Sequence, residues 1–170
     1  MLLCILSHRF PFRVRQISSK VHLVSDTCTL DVDGVILGVT STDVLFHLGA
    51  EEISGAQQQV LMNDRISRLV QHIFTQHSYY PLYPPHPDIT VDVEHFDVYG
   101  RLAVTPHLMI LPSDLRCFIK EVGSTVCVNP GRMAKGQVGG TYARVLISRR
   151  TDGLDNGRTQ PTVVGQIIRV

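Results

Sequence analysis

From about residue 20 onward, apolar side chains gather in short runs whose spacing alternates between two and near 3.6 residues. Val21, Leu23 and the stretch Thr29–Val32 have strand character, and Val35-Ile36-Leu37-Gly38-Val39 is a short apolar run. Asp33-Gly34 separates the last two; Gly tolerates positive φ, so this dipeptide predicts a two-residue hairpin turn. Thr40-Ser41-Thr42-Asp43 offers capping oxygens for a short helix through Val44, Leu45 and Leu48. Gly55–Gln59 reads as a polar loop. Ile66, Leu69, Val70, Ile73 and Phe74 recur at i, i+3, i+4, i+7 and i+8. That single stripe predicts a helix over about residues 63–77, capped by Asn63 or Asp64.

Ser78-Tyr79-Tyr80-Pro81-Leu82-Tyr83-Pro84-Pro85 ends that helix. Proline lacks a donor and pushes its predecessor toward extended geometry, so an irregular extended segment is predicted. Its three tyrosines form either a contact surface or a connector whose rings cover the core. Val91–Leu102 is predicted helical, with Val91, His95, Val98 and Leu102 on one side. Leu108-Met109-Ile110-Leu111 is fully apolar, the mark of a buried strand. Phe118–Val122 and Thr125–Val128 read as two more strands. Thr141–Ser148 and Thr162–Val170 read as a closing antiparallel pair joined by the polar Asp152–Gly157 turn. Strands with helices between them, then a strand-rich end, predict a layered α/β domain.

Length changes this picture little: 170 residues suit one domain and can bury a core without disulfides or metal. Thirteen Gly and nine Pro are ordinary numbers and exclude a collagen-like or disordered chain. No apolar run approaches the ~20 residues of a membrane helix, so a soluble protein with no membrane partner is expected. The net charge of +1 conceals an uneven spread. Residues 1–20 hold four bases and no acid, residues 21–131 hold thirteen acids against five bases, and residues 132–170 hold seven bases against two acids. Such asymmetry marks either surfaces for partners of opposite sign, nucleic acid included, or solvated faces that fold beside one another. The basic opening stretch has the bias of an import presequence, but Pro11 interrupts any amphipathic helix. Residues 1–19 are therefore expected to be an extension that adds nothing to the core.

The usual catalytic constellations fail in turn. Cys4, Cys28, Cys117 and Cys127 form no CxxC pair, which excludes zinc-finger spacing and thioredoxin-like redox chemistry and suits a reducing compartment. The eight histidines include no HxH, HxxH or HxxxH pair, so each is expected to be structural or on the surface. Asp31-Val32-Asp33-Gly34 lacks the later acids of a calcium loop. Gly131 and Gly136 have Walker A spacing, but Gln137 and Val138 stand where Lys and Ser/Thr are required. Residues 131–140 therefore read as a turn-rich connector, with Arg132 and Lys135 able to touch a phosphate or an acidic partner. No GxSxG elbow is present.

Three longer segments carry a resemblance. They are Gly38-Val39-Thr40-Ser41-Thr42-Asp43-Val44-Leu45-Phe46-His47, Ser78–Pro85, and Val128-Asn129-Pro130-Gly131-Arg132 continuing through Gly136-Gln137-Val138-Gly139-Gly140-Thr141. In this order they resemble the C-terminal part of the B-subunit family of DNA polymerase alpha–primase (the accessory, second-largest subunits), vertebrate type. The likeness runs from about Lys20 to the C-terminus, so residues 20–170 are expected to form part of one domain. It implies a layered α/β, calcineurin-like phosphoesterase fold that has lost its chemistry, represented by its C-terminal portion with an incomplete sheet. Active relatives carry a Gly-His-x-His metal loop after a late buried strand. Pro112-Ser113-Asp114-Leu115 stands there, with Ser113 and Leu115 at the histidine positions. Leu has no lone pair to give and Ser is a poor ligand, so the clamp of a two-metal phosphoesterase would be missing. Asn129-Pro130-Gly131 is similar to the structural turn that active relatives keep.

The resemblance also implies that the family's helical domain, linker, oligonucleotide-binding fold and first phosphoesterase half are not in this sequence. An exposed sheet edge, exposed apolar surface and poor stability in isolation follow as expectations, and a cooperative melt of the monomer would contradict them. The function implied is a non-enzymatic nuclear scaffold, with no cofactor and no metal. Its expected partner is the C-terminal domain of the polymerase alpha catalytic subunit, with primase held indirectly and DNA at most weakly. Tyr79, Tyr80 and Tyr83 are the candidate anchors, and Arg132 and Lys135 a second contact. The rivals are a working metal-dependent phosphoesterase and a DNA-binding module using the basic C-terminal third.

Overall fold

The turn at Asp33-Gly34 has φ of 54° and 81° at its two residues, the mirror-image geometry that fits a twisted hairpin. Asp31 Oδ1 accepts the Gly34 N–H at 2.7 Å and fixes it. It joins antiparallel strands β3 (Cys28–Val32) and β4 (Val35–Val39). The computed structural model describes residues 2–6, 21–53, 55, 64–148 and 161–170. Ahead of the hairpin, β1 (Leu2–Leu6) pairs in parallel with β2 (Val21–Ser25), so strand structure reaches into the stretch that composition sets apart.

The main sheet is mixed, with strand order β3-β4-β5-β7-β6, where β5 is Leu108–Ile110, β6 is Phe118–Val122 and β7 is Thr125–Asn129. β5 lies at its centre, parallel to β4 on one side and β7 on the other. A central strand is covered on both faces, which is why its sequence is apolar throughout. One row of the sheet reads Gly38, Met109, Cys127, Lys120 and faces the helices. Against that face pack α1 (Val44–Glu51) and α2 (Arg65–Thr75), their Val44, Leu45, Leu48, Leu69, Val70 and Ile73 merging with Met109, Leu111, Phe118, Val122 and Cys127. Burial pushes the Cys127 thiol up to about 12, so it serves as a small apolar filler.

Both helices start as their sequences predict. Asp43 accepts the Phe46 N–H at 3.0 Å, and Asp64 accepts the Ser67 N–H at 3.0 Å. Helix α3 (Val93–Tyr99) is shorter than the predicted Val91–Leu102, and the predicted stripe is not its packed side. The Gly100 N–H bonds to the Phe96 carbonyl at 2.7 Å and closes its last turn, with Gly100 as the cap. Phe96 packs on the core, Val98 points outward, and Leu102 is buried beyond the helix.

Residues 131–140 are the predicted connector, built as the small hairpin β8 (Ala134–Lys135) and β9 (Val138–Gly139) with Gly136 at φ 64°. Next, β10 (Thr141–Ser148) and β11 (Thr162–Arg169) form the predicted antiparallel ribbon. Its Asp152–Gly157 turn lies outside the described residues, as does the 56–59 part of the Gly55–Gln59 loop. The ribbon sits on the sheet face opposite α2: a Cβ at Gly165 would stand 2.6 Å from Ile119 Cδ1, while Lys120 on the other face pairs with Asp64. Among the described residues, no helix is long and apolar enough to cross a membrane.

Candidate functional site

Beyond β5 the chain turns through Pro112–Arg116, and one side chain holds that loop. Asn129, at the end of β7, is fully buried. Its Oδ1 accepts the N–H of Ser113 at 3.1 Å and of Gly131 at 3.0 Å. Its Nδ2 faces the carbonyls of Ser113, Leu115 and Arg116 at 3.2, 3.2 and 3.4 Å. Gly131 allows this turn because its φ is 72°, and a Cβ there would collide with Thr141 Oγ1. The Ser113 hydroxyl is buried and accepts the Leu115 N–H at 3.1 Å. Asp114 ion-pairs with Arg132, and its N–H donates to Asp43 Oδ2 at 2.7 Å. Asp26, nearby at the end of β2, accepts hydrogen bonds from the N–H and hydroxyl of Ser41 and from the Thr42 hydroxyl. Ser113, Asp114 and Leu115 are thus brought together with Arg132, with their polar groups committed to the protein itself.

The three tyrosines separate, which corrects the expectation that all of them are surface anchors. Tyr79 is 1% exposed and Tyr80 is 7% exposed, whereas Tyr83 is 93% exposed. The Tyr79 hydroxyl meets Thr29 Oγ1 at 2.7 Å and the Cys28 carbonyl at 2.9 Å, on the floor left by Gly38. Burial pushes both hydroxyl pKa values above the usual tyrosine range. These two rings are core, because the first residues after α2 turn back over the sheet while the prolines carry the chain outward. Arg132 and Lys135 are both exposed, Arg132 within its pair with Asp114 and Lys135 on β8.

Residues that sequence spacing passes over also meet here. His47 on α1 is buried, and its ring stacks on that of His86 with centroids 4.1 Å apart and planes 3° apart. Tyr80 Oη lies 3.2 Å from His47 Nδ1 and accepts the His86 N–H at 3.0 Å. His86 Nδ1 is 3.5 Å from Asp88 Oδ2 and accepts the Asp88 N–H at 3.3 Å. One donor atom from each of His47, His86 and Asp88 lies within 4.8 Å of the others. Burial, and then the neighbouring His86, hold the His47 imidazole below its ordinary pKa. The local signal is His86-Pro87-Asp88, a mixed pair that a search for histidine pairs overlooks.

A family profile describing the B subunits of DNA polymerases alpha and epsilon matches residues 8–120. The chain belongs to this family. Its sheet and helices accordingly represent a phosphoesterase-like fold. Among relatives, the DNA polymerase alpha B subunit of Rattus norvegicus is 48% identical over 157 residues, covering 92% of this chain and 26% of that protein. The Bos taurus protein of the same name is 53% identical over 107 residues, 63% of this chain and 17% of the relative. That of Drosophila melanogaster is 39% identical over 144 residues, 84% of this chain and 23% of the relative. The chain spans about a quarter of the length of the curated relatives it matches.

Proposed function

We propose that this chain works as part of a non-catalytic accessory subunit of DNA polymerase alpha. It scaffolds the catalytic subunit, through that subunit's C-terminal domain, during initiation of replication in the nucleus, and holds primase indirectly. The observation that carries the reading is the Asn129 clamp: the loop where an active phosphoesterase would present imidazoles offers Ser113 and Leu115 and spends its polar groups internally. With hydrolysis set aside, recognition by shape remains. Tyr83 is the anchor best placed for it, since it is an aromatic ring almost wholly in solvent. Arg132 and Lys135 form the second contact.

Capture of the catalytic subunit's C-terminal domain by the full chain tests this. Wild type should retain it, and Tyr83→Ala should weaken retention by on the order of tenfold. Unchanged capture by that variant removes Tyr83 from the interface, and no capture by wild type overturns the scaffold reading. Manganese-dependent phosphodiester hydrolysis lost with Asp114→Ala would replace it with the enzymatic alternative. DNA retention that fades steeply with rising salt would favour the nucleic-acid alternative.

A further inference from the structure

We propose that His47, His86 and Asp88 form a binding site for a divalent transition metal of the zinc class, at the junction of α1 and the segment that follows the tyrosines. The donors differ from those of the loop after β5, and the site stands whether or not the chain scaffolds a polymerase.

Two imidazoles and one carboxylate are a donor set that zinc accepts, with a fourth position left for water or a partner's side chain. Their donor atoms already lie within 4.8 Å of one another. A metal at about 2.0–2.1 Å from each nitrogen needs these atoms to draw closer and the His86 ring to turn toward the ion. His47 is the fixed ligand. Its Nδ1 is engaged by Tyr80 Oη, and among the described residues its Nε2 has no hydrogen-bond partner. Nor is any side-chain nitrogen or oxygen among them both buried and unpaired, so Nε2 opens to solvent. Metal binding selects the tautomer in which Nδ1–H donates to Tyr80 Oη, whose lone pairs serve both that donor and the His86 N–H. Tyr80 is then the outer-shell group that orients the ligand.

His86 is the movable ligand. In the stack its lone pairs lie in a plane parallel to that of His47, so both rings cannot aim at one ion until His86 turns. Its side chain is 22% exposed and its backbone N–H stays on Tyr80, so the ring can rotate while the loop remains anchored. Asp88, 77% exposed, already faces the ring it would join.

The test is titration of the full, chelator-treated chain with Co²⁺ at pH 7.5, read by visible absorption and then competed with Zn²⁺. Wild type should take up one ion saturably, with bands of a nitrogen–oxygen site that Zn²⁺ displaces. His86→Gln and Asp88→Asn, both on the outer loop, should lose saturable binding while far-UV circular dichroism is unchanged. Tyr80→Phe should weaken binding by about tenfold. Absence of saturable binding in wild type overturns the proposal. So does binding that persists in His86→Gln and Asp88→Asn, because the ion would then sit elsewhere.

Discussion

Two loops at the same end of the sheet have opposite polar economies. The loop after β5 is closed on itself: Asn129 alone makes contacts with five backbone groups, and Asp114 is matched to Arg132. The segment after α2 is anchored by buried Tyr79 and Tyr80, then turns Tyr83 and Asp88 toward solvent and leaves His86 half-buried against His47. The loop after β5 is thus a structural joint, and the chemically open groups lie on the neighbouring segment. A buried polar group with every bond made is rigid and inert; one with a free ring nitrogen retains something to offer.

Asn129→Ala breaks the comparison most severely. Each buried donor or acceptor left unpaired costs ~1–3 kcal/mol, so a loss of about 3–5 kcal/mol is expected in urea unfolding of the chain. A change below about 1 kcal/mol would mean that water replaces the amide and that the joint is looser than its geometry indicates. Tyr79→Phe comes next, removing the hydroxyl that meets Thr29 and Cys28, and should cost about 1–2 kcal/mol by the same measurement.

The smallest effect depends on pH and probes how firmly α2 is tied to the sheet. Burial pushes the Asp64 carboxyl up, but hydrogen bonds from Lys120 and Ser67 outweigh it and leave it at about 2, below its ordinary 3.8. A depressed carboxyl stabilises the fold fully above the ordinary value and loses that contribution as pH falls toward about 2. The pair is largely exposed, so wild type should lose less than about 1 kcal/mol more than Lys120→Met between pH 5 and pH 2. Identical acid profiles would show that the ion pair contributes nothing.

Much of the fold is legible in the sequence where a local rule has no competitor. Asp33-Gly34 announces its turn because few residue pairs accept two positive φ values. The Ile66–Phe74 stripe announces α2, and Leu108–Leu111 announces a strand covered on both faces. The Val91–Leu102 reading fails because three apolar positions in helical register with His95 outvote one terminating glycine, Gly100. The tyrosines mislead for a different reason: composition shows that rings are present but not which way the chain turns beneath them. The histidine cluster is illegible from spacing between histidines, since α1 and the Tyr–Pro segment meet only in the folded chain.

The ribbon of β10 and β11 has a consequence for handling this molecule. Among the described residues its strands bond to each other, while the five-stranded sheet is a separate ladder. What seats it against β6 is the bare backbone of Gly165 lying over Ile119. Lifting the C-terminal arm from that face, like a latch, would therefore cut no rung of either ladder, only the bonds of Thr141 to Arg132 and Pro130 at its base.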